Sequence, residues 1–326
     1  MLFALIAGDA ATFERLWRWS VANLAGGDIT SRLPAWQWGK KPDGTWGVLD
    51  PNAASDGDLW FAYGLLEAGR IWHRKDYVQD ARSLMARIVK DEVADLPGLG
   101  KMLLPGPQGF ARPDNLWRLN PSYMPIPLLR RLAAEDKTGP WTEIASNTAR
   151  MITETSPKGF NPDWTAYKSL DGRSGTFIVD PDKGDIGSYD AIRSYMWAGM
   201  TPAADPLASQ LMRALNGMTA ATAVNGLPPE SVQVLTGVVS GTGPVGFSAA
   251  LMPYFVANNQ TRLLNAQRDR TQTQFNPAAP PQSAPPYYDV VLGLFGTGWA
   301  EQRYRFQQTG KIQLRWETPC PRANTR

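Results

Sequence analysis

Two carboxylates bracket a glycine in Ala54-Ser55-Asp56-Gly57-Asp58, and the apolar segment Leu59–Trp72 follows at once. This spacing places both acids in the first turn of a buried helix. Unpaired N–H groups and the positive end of the helix favour negative charge there, so both acids are expected to stay ionised and held in place. Asp and Ser are also ordinary helix caps, which offers a purely structural reading of the same residues. A second segment, Ser188-Tyr189-Asp190-Ala191-Ile192-Arg193, weighs against that reading. Tyr189, Ile192, Arg193 and Met196 mark the stripe expected to be buried, and Asp190 lies one residue off it, towards the helix start. Arg193, three residues on, is placed to reach back and keep Asp190 ionised, as a general base requires. A structural ion pair at a helix start is the alternative.

Two carboxyl groups facing one cleft are what glycoside hydrolysis needs. One protonates the leaving oxygen, and the other activates water or attacks carbon. The aromatic residues fit a sugar groove. Leu33–Lys40 reads as a loop carrying Trp36 and Trp38, and Asn115–Tyr123 as another carrying Trp117, Arg118, Asn120 and Tyr123. An exposed tryptophan face is costly unless it binds something, although single tryptophans more often fill cores.

Composition narrows the classes further. The 33 basic and 30 acidic residues nearly cancel, leaving +3 and no dense Lys/Arg tract, which argues against a nucleic-acid or anionic-membrane partner. Thirteen Trp against one His and one Cys leave few soft metal ligands, while aromatic faces stack on sugar rings. Cys320 has no partner for an internal disulfide. His73 reads as a surface or helix-end residue. No apolar run approaches the roughly 20 residues that span a bilayer.

The elements that must position these groups are helical. Apolar residues recur at helical spacing in Phe13/Leu16/Trp17/Leu24, Leu59/Ala62/Tyr63/Leu66, Tyr77/Ala81/Leu84/Met85/Ile88 and Trp141/Ile144/Ala145/Thr148/Ile152. The pattern continues through Leu207/Leu211/Leu215/Met218, Phe247/Ala250/Leu251/Tyr254 and Tyr287/Val290/Val291/Leu294. Ten or eleven helices are expected, with alternation only at Thr176–Val179 and Ile312–Trp316. Gly/Pro-rich connectors at Pro97–Pro107, Pro157–Pro162, Asn225–Pro229 and Asn276–Pro286 read as loops inside one domain covering 1–326. Such a chain suggests a toroid of helical hairpins whose loops build a groove. Met1–Ala7 lacks the basic start and cleavage site of a signal peptide. It reads as the last two turns of a helix stopped at Gly8, so the chain is expected to begin in mid-fold.

These residues carry a resemblance. The segments LPAWQWGKK, VLDPNAASDGDLWFAYGLLEAGRIW, PGLGKMLLPG, WRLNPSYMP, PKGFNPDW, SYDAIRSYMWAGM and GPVGFSAALMPYF occur in order over 33–255. They resemble family 8 of the glycoside hydrolases, in the subgroup of endoglucanases that accompany bacterial cellulose synthase. Ala54–Trp72 matches the family signature, with Phe61 and Gly64 as mild departures. The resemblance implies an all-α (α/α)6 barrel, here with an incomplete first helix. It also implies inverting, cofactor-free hydrolysis of internal β-1,4 bonds in cellulose. Asp190 then matches the general base, and Asp56 the aspartate that binds and helps distort the sugar. Tyr189 and Arg193 match groups around the base, while Trp36, Trp117 and Tyr123 match positions lining the glucan cleft. The family's general acid is a Glu in a Ser-Glu-Gly-Gln-Ser-Tyr-Gly-like segment that would precede Met1, so this chain is expected to be inactive as it stands. Glu67, buried in mid-helix, and Glu92, far along the next helix, occupy no comparable context. The implied location is periplasmic or secreted, with the cellulose synthase complex as a candidate partner. A non-catalytic glucan-binding protein and a hydrolase of chitosan or xylan are the other readings.

Overall fold

The computed structural model describes residues 1–275 and 285–317; Cys320 and nearly all of the Asn276–Pro286 loop lie outside them. The described residues form twelve α-helices, mostly in hairpins. These are α1 (Leu2–Ala7) with α2 (Ala10–Leu24), α3 (Ser55–Ile71) with α4 (Lys75–Asp91), and α5 (Ile126–Glu135) with α6 (Trp141–Glu154). Then come α7 (Ala191–Met200) with α8 (Ala208–Ala214) and α9 (Gly217–Asn225), α10 (Val245–Ala257) with α11 (Thr261–Gln274), and α12 (Tyr287–Ala300). Helices α1, α3, α5, α7, α10 and α12 neighbour one another in turn. The Phe3 and Phe295 rings, 4.8 Å apart and edge-to-face, bring α12 back to α1 and close this inner ring. The fold is therefore an (α/α)6 barrel, as the hairpin pattern and the resemblance implied. None of the described helices is long and apolar enough to cross a membrane.

Helix position follows the distribution of apolar residues. Helix α10 is apolar all round and almost wholly buried, as a helix of the inner ring must be. The outer helix α4 buries Tyr77, Ala81, Leu84, Met85 and Ile88 and turns its charges outward. Neighbouring inner helices approach closely where glycine allows. A Cβ at Gly296 would stand 1.9 Å from the Ala249 carbonyl oxygen, and one at Gly199 2.3 Å from the Tyr254 nitrogen. At the other end of the chain, Gly8 stops α1 as expected. Its φ of 74° lies in the left-handed region, and its N–H reaches back to the carbonyls of Ala4 and Leu5.

Several expectations need correction. Leu16 is 42% exposed although it shares the helical spacing of buried Phe13 and Trp17. In α12 the outward face is Tyr287, Val290 and Leu294, while Asp289, Leu292, Phe295 and Trp299 turn inward. That helix is apolar on nearly every side, so periodicity alone cannot select its buried face. The two aromatic "loops" are largely strands. Strand β1 (Gln37–Lys40) pairs antiparallel with β2 (Trp46–Asp50). The hairpin of β3 (Val93–Leu96) and β4 (Gly100–Leu103) follows. A four-stranded sheet then comprises β5 (Ala111–Arg112), β6 (Leu116–Leu119), β7 (Thr165–Lys168) and β8 (Thr176–Val179). These strands are two to five residues long, too short for alternation to stand out. His73 lies exposed in the left-handed turn between α3 and α4, as read.

Candidate active site

Asp190 stands at the N-cap of α7, but its side chain does not cap the helix. Asp163 does that work from another segment. Its Oδ1 accepts N–H bonds from Ser188 (2.8 Å), Asp190 (3.0 Å) and Ala191 (2.7 Å). The Asp190 carboxylate is thereby free to point elsewhere. Its Oδ1 accepts from Arg193 Nη2 at 2.8 Å and its Oδ2 from Trp164 Nε1 at 3.0 Å. Both oxygens are oriented, and about a third of the side chain stays open to solvent, which leaves room for a water.

Arg193 is the hub of this network. Besides Asp190, its Nη2 donates to Ser122 Oγ (2.7 Å), and its Nη1 donates to the Tyr288 hydroxyl (3.2 Å). Burial works against the guanidinium's charge, but Tyr288, Asp190 and Asp56 outweigh it, so its pKa rises and it stays a cation. Asp56 lies within the field of both groups. Burial raises its pKa, the Arg193 charge lowers it, and the Asp190 charge raises it again. The structure thus brings Asp56, Asp190 and Arg193 into one electrostatic unit, from the starts of two inner helices.

The aromatic residues divide by role. Trp164 stacks on Phe110 (5.9 Å, 13° between planes), and Arg118 lies over its ring at 4.8 Å, so the indole that holds Asp190 is fixed from two sides. Tyr123 neighbours Trp164 at 6.2 Å, and Arg193 lies 6.0 Å from its ring. Burial, followed by the negative fields of Asp56 and Asp190, pushes the Tyr123 hydroxyl's pKa up, which keeps it a neutral donor. Trp117 is half-buried on β6, opposite Tyr167 of β7. Trp36 is 56% exposed, and its N–H bonds the carbonyl of Asn52, in the strand-like run leading to Asp56.

Tyr189 departs from its expected place. It is 45% exposed rather than part of a buried stripe, because the helix begins only at Ala191 and helical periodicity does not reach back to it. Its hydroxyl donates to Glu230 Oε1 at 2.9 Å, and its carbonyl accepts from the Tyr288 hydroxyl. Trp164, Asp163, Ser122 and Tyr288 were not singled out from the sequence. Asn-Pro-Asp-Trp and Asn-Pro-Ser are recognisable turn-forming strings, but nothing in their spacing ties them to Asp190.

The second carboxylate of Asp56-Gly57-Asp58 behaves unlike the first. Ala54, not an acid or serine, is the N-cap of α3, and Ser55 Oγ is buried without a partner. Asp58 is 1% exposed and meets the side chain of Glu92, itself fully buried just beyond α4. Asp58 Oδ2 and both Glu92 carboxyl oxygens lack any N–H or O–H donor apart from each other's proton. Burial pushes both pKa values well above the carboxylate range, and the neighbouring acid raises Glu92 further. The expectation that Asp58 stays ionised therefore fails. A helix end offers about 0.3–1 kcal/mol to an anion, against several for desolvating one. Glu92, distant along the chain, is in space a neighbour of the signature. Glu67 is a structural ion-pair centre that bonds Arg131, Arg70 and the Ile312 N–H.

A barrel of helical hairpins that sets the Asp190–Arg193 pair, with Asp56 in its field, at the starts of two inner helices beside the Trp164 and Tyr123 rings fits the carbohydrate-active class of such barrels. The chain belongs to family 8 of the glycosyl hydrolases, whose family model matches residues 1–302. It is 47% identical to an endoglucanase of Pseudomonas fluorescens (strain SBW25), across 98% of this chain and 83% of that protein. It is 45% identical to an endoglucanase of Escherichia coli (strain K12), again over 98% of this chain and 83% of that one. The crystal structure of an endo-1,4-D-glucanase from Vibrio fischeri ES114 superposes with a TM-score of 0.89 at 40% identity, covering 97% of this chain and 89% of that one.

Proposed function

We propose that this protein is an endo-1,4-β-glucanase that cuts internal bonds of cellulose with inversion. The carrying observation is the Asp190 carboxylate, held by Arg193 and Trp164, with helix capping delegated to Asp163. In this reading Asp190 takes a proton from water as that water attacks the anomeric carbon. Asp56 hydrogen-bonds the sugar at the cleavage point. Arg193 compensates the charge of both acids, while Tyr123, Trp117 and Trp36 line the glucan path and Tyr189 flanks the base. The leaving oxygen needs a proton, which we assign, on the family resemblance, to a Glu in a segment preceding Met1. The same resemblance supports a periplasmic or secreted location, a role in cellulose biosynthesis and the synthase complex as partner.

The test is release of reducing ends from carboxymethyl-cellulose by the 326-residue chain, by a form extended upstream, and by Asp190→Asn in each. The expected result is cutting by the extended form alone, abolished by Asp190→Asn. Cutting by the short form would place the acid within 1–326. Cutting of chitosan or xylan in preference would overturn the substrate, and glucan binding without cutting by any form would make the protein a binding module.

A further inference from the structure

Exposed aromatic surface gathers around the β1–β2 hairpin, running on from Trp36. Trp46 is 67% exposed, Trp36 56%, and Trp19 of the adjoining α2 44%. Isolated exposed apolar side chains are ordinary, but three indoles around one short hairpin form a patch, and patches mark binding surfaces. The register assigns them a face. Trp38 pairs with Val48 and Lys40 with Trp46, so Trp38 and Trp46 lie on the same side. The other side is occupied differently, since a Cβ at Gly39 would meet Leu49 at 2.7 Å and one at Gly47 would meet Lys41 at 2.6 Å. Trp19 packs edge-to-face on Trp38 at 5.4 Å and braces that ring from beneath.

The support is rigid. Asp43 accepts from both the N–H and the hydroxyl of Thr45, and the Lys41 N–H closes the turn onto the Thr45 carbonyl. At the cleft end, the Trp36 backbone N–H bonds the Asn52 carbonyl, and the Asn52 N–H in turn bonds the Asp50 carboxylate. Trp46 lies opposite Lys40, at the end of β1 away from Trp36, which sits in the bend just before the strand; Gln37 to Lys40 spans about 10 Å at ~3.3 Å per residue. The two indoles thus stand at opposite ends of the strand, which suits a short run of sugar rings. The hairpin's charges, Lys40 and Lys41 against Asp43 and Asp50, cancel, which fits a neutral polymer rather than a charged one.

We propose that Trp46, with Trp38 and Trp19 behind it, is an outlying glucan-binding platform that continues the cleft beyond Trp36 and holds chains too long for the cleft alone. The proposal rests on the glucan reading. Titration calorimetry of the 326-residue chain with cellotriose and cellohexaose tests it without requiring turnover. Trp46→Ala is expected to raise the Kd for cellohexaose roughly three- to tenfold, the worth of one aromatic contact, and to leave cellotriose unchanged. Trp46→Phe should keep most of the affinity, and thermal melting of both variants should match the parent. Cellohexaose binding that Trp36→Ala weakens and Trp46→Ala does not would overturn the platform alone. Failure of the parent chain to bind either oligosaccharide would overturn the glucan reading and the platform with it.

Discussion

Replacing Asp58 by Asn tests whether the buried Asp58–Glu92 pair shares a proton. Two carboxyls in hydrogen-bond contact, with no cation or N–H donor to satisfy them, hold together only if one keeps its proton and donates it to the other. In the unfolded chain both acids lose their protons above about pH 4, near the reference values of ~3.9 and ~4.3. Folding must then take a proton from solution. The sign follows from raised folded-state pKa values. The pair's contribution to stability is complete below the unfolded pKa values, and is lost as pH rises towards the folded ones.

Each retained proton costs about 1.4 kcal/mol per pH unit across that window. In Asp58→Asn an amide N–H replaces the shared proton, and no rise in pH removes it. The variant should therefore gain on the parent by about 2 kcal/mol between pH 5 and 6.5, at ~1.4 kcal/mol per pH unit. Urea unfolding at several pH values in that range measures the difference directly. Other acids raised by burial but apart from the pair, among them Asp163 and Asp289, contribute to both slopes and cancel in the comparison. Parallel stability curves for parent and variant would refute the shared proton. A variant that loses ground as pH rises would do so as well.

Other expectations follow from the same geometry. Asp190→Asn should lower kcat by about 10²–10⁴, read as reducing-end release, while cellohexaose binding is retained. Trp164→Phe removes one of the two donors to Asp190 and keeps the stack on Phe110; kcat should fall several-fold with cellohexaose binding retained, and an unchanged kcat would show the indole to be mere packing. Glu67→Ala removes the buried carboxylate shared by Arg131 and Arg70, leaving them only Glu135 and Glu317, and should cost about 3 kcal/mol in urea unfolding; a loss below about 1 kcal/mol would show that those partners suffice.

Much of this fold is legible in the sequence because most helices are long and one-sided. Every stripe residue of α4 and α6 is buried, with Asn147, Ala149 and Met151 buried in α6 besides, and Leu59, Ala62, Tyr63 and Leu66 are all buried in α3. Legibility fails where apolar residues surround a helix, as in α12, and where strands run only a few residues, as in β1 and β6. In the site, the Asp190–Arg193 pair is readable because it depends on helical spacing of three. The contacts of Asp163 and Trp164 with the Asp190 segment span 25 to 28 residues and pass through a turn, so no local period announces them. The Asp58–Glu92 contact joins the start of one helix to the end of the next, and charge preference at a helix terminus points to the wrong protonation state.

Both acid-bearing inner helices forgo a cap from their own residues. Helix α3 starts at Ala54 with no side-chain bond, and Asp190 at the start of α7 turns its carboxylate away. A missing cap costs about 1 kcal/mol. At α7 the loss is offset by a single Asp163 oxygen that gathers three N–H groups, from Ser188, Asp190 and Ala191. The arrangement separates two duties that one aspartate cannot perform together, since a carboxylate folded onto its own helix start would not reach a water in the cleft. Asp163 is therefore the residue whose loss should disturb the base without touching it. Asp163→Asn keeps an acceptor but gives up the negative charge at the helix start, so N–H protection at Ser188–Ala191 should fall in hydrogen exchange. If that protection survives unchanged, the capping is steric rather than electrostatic, and the freedom of Asp190 must have another source.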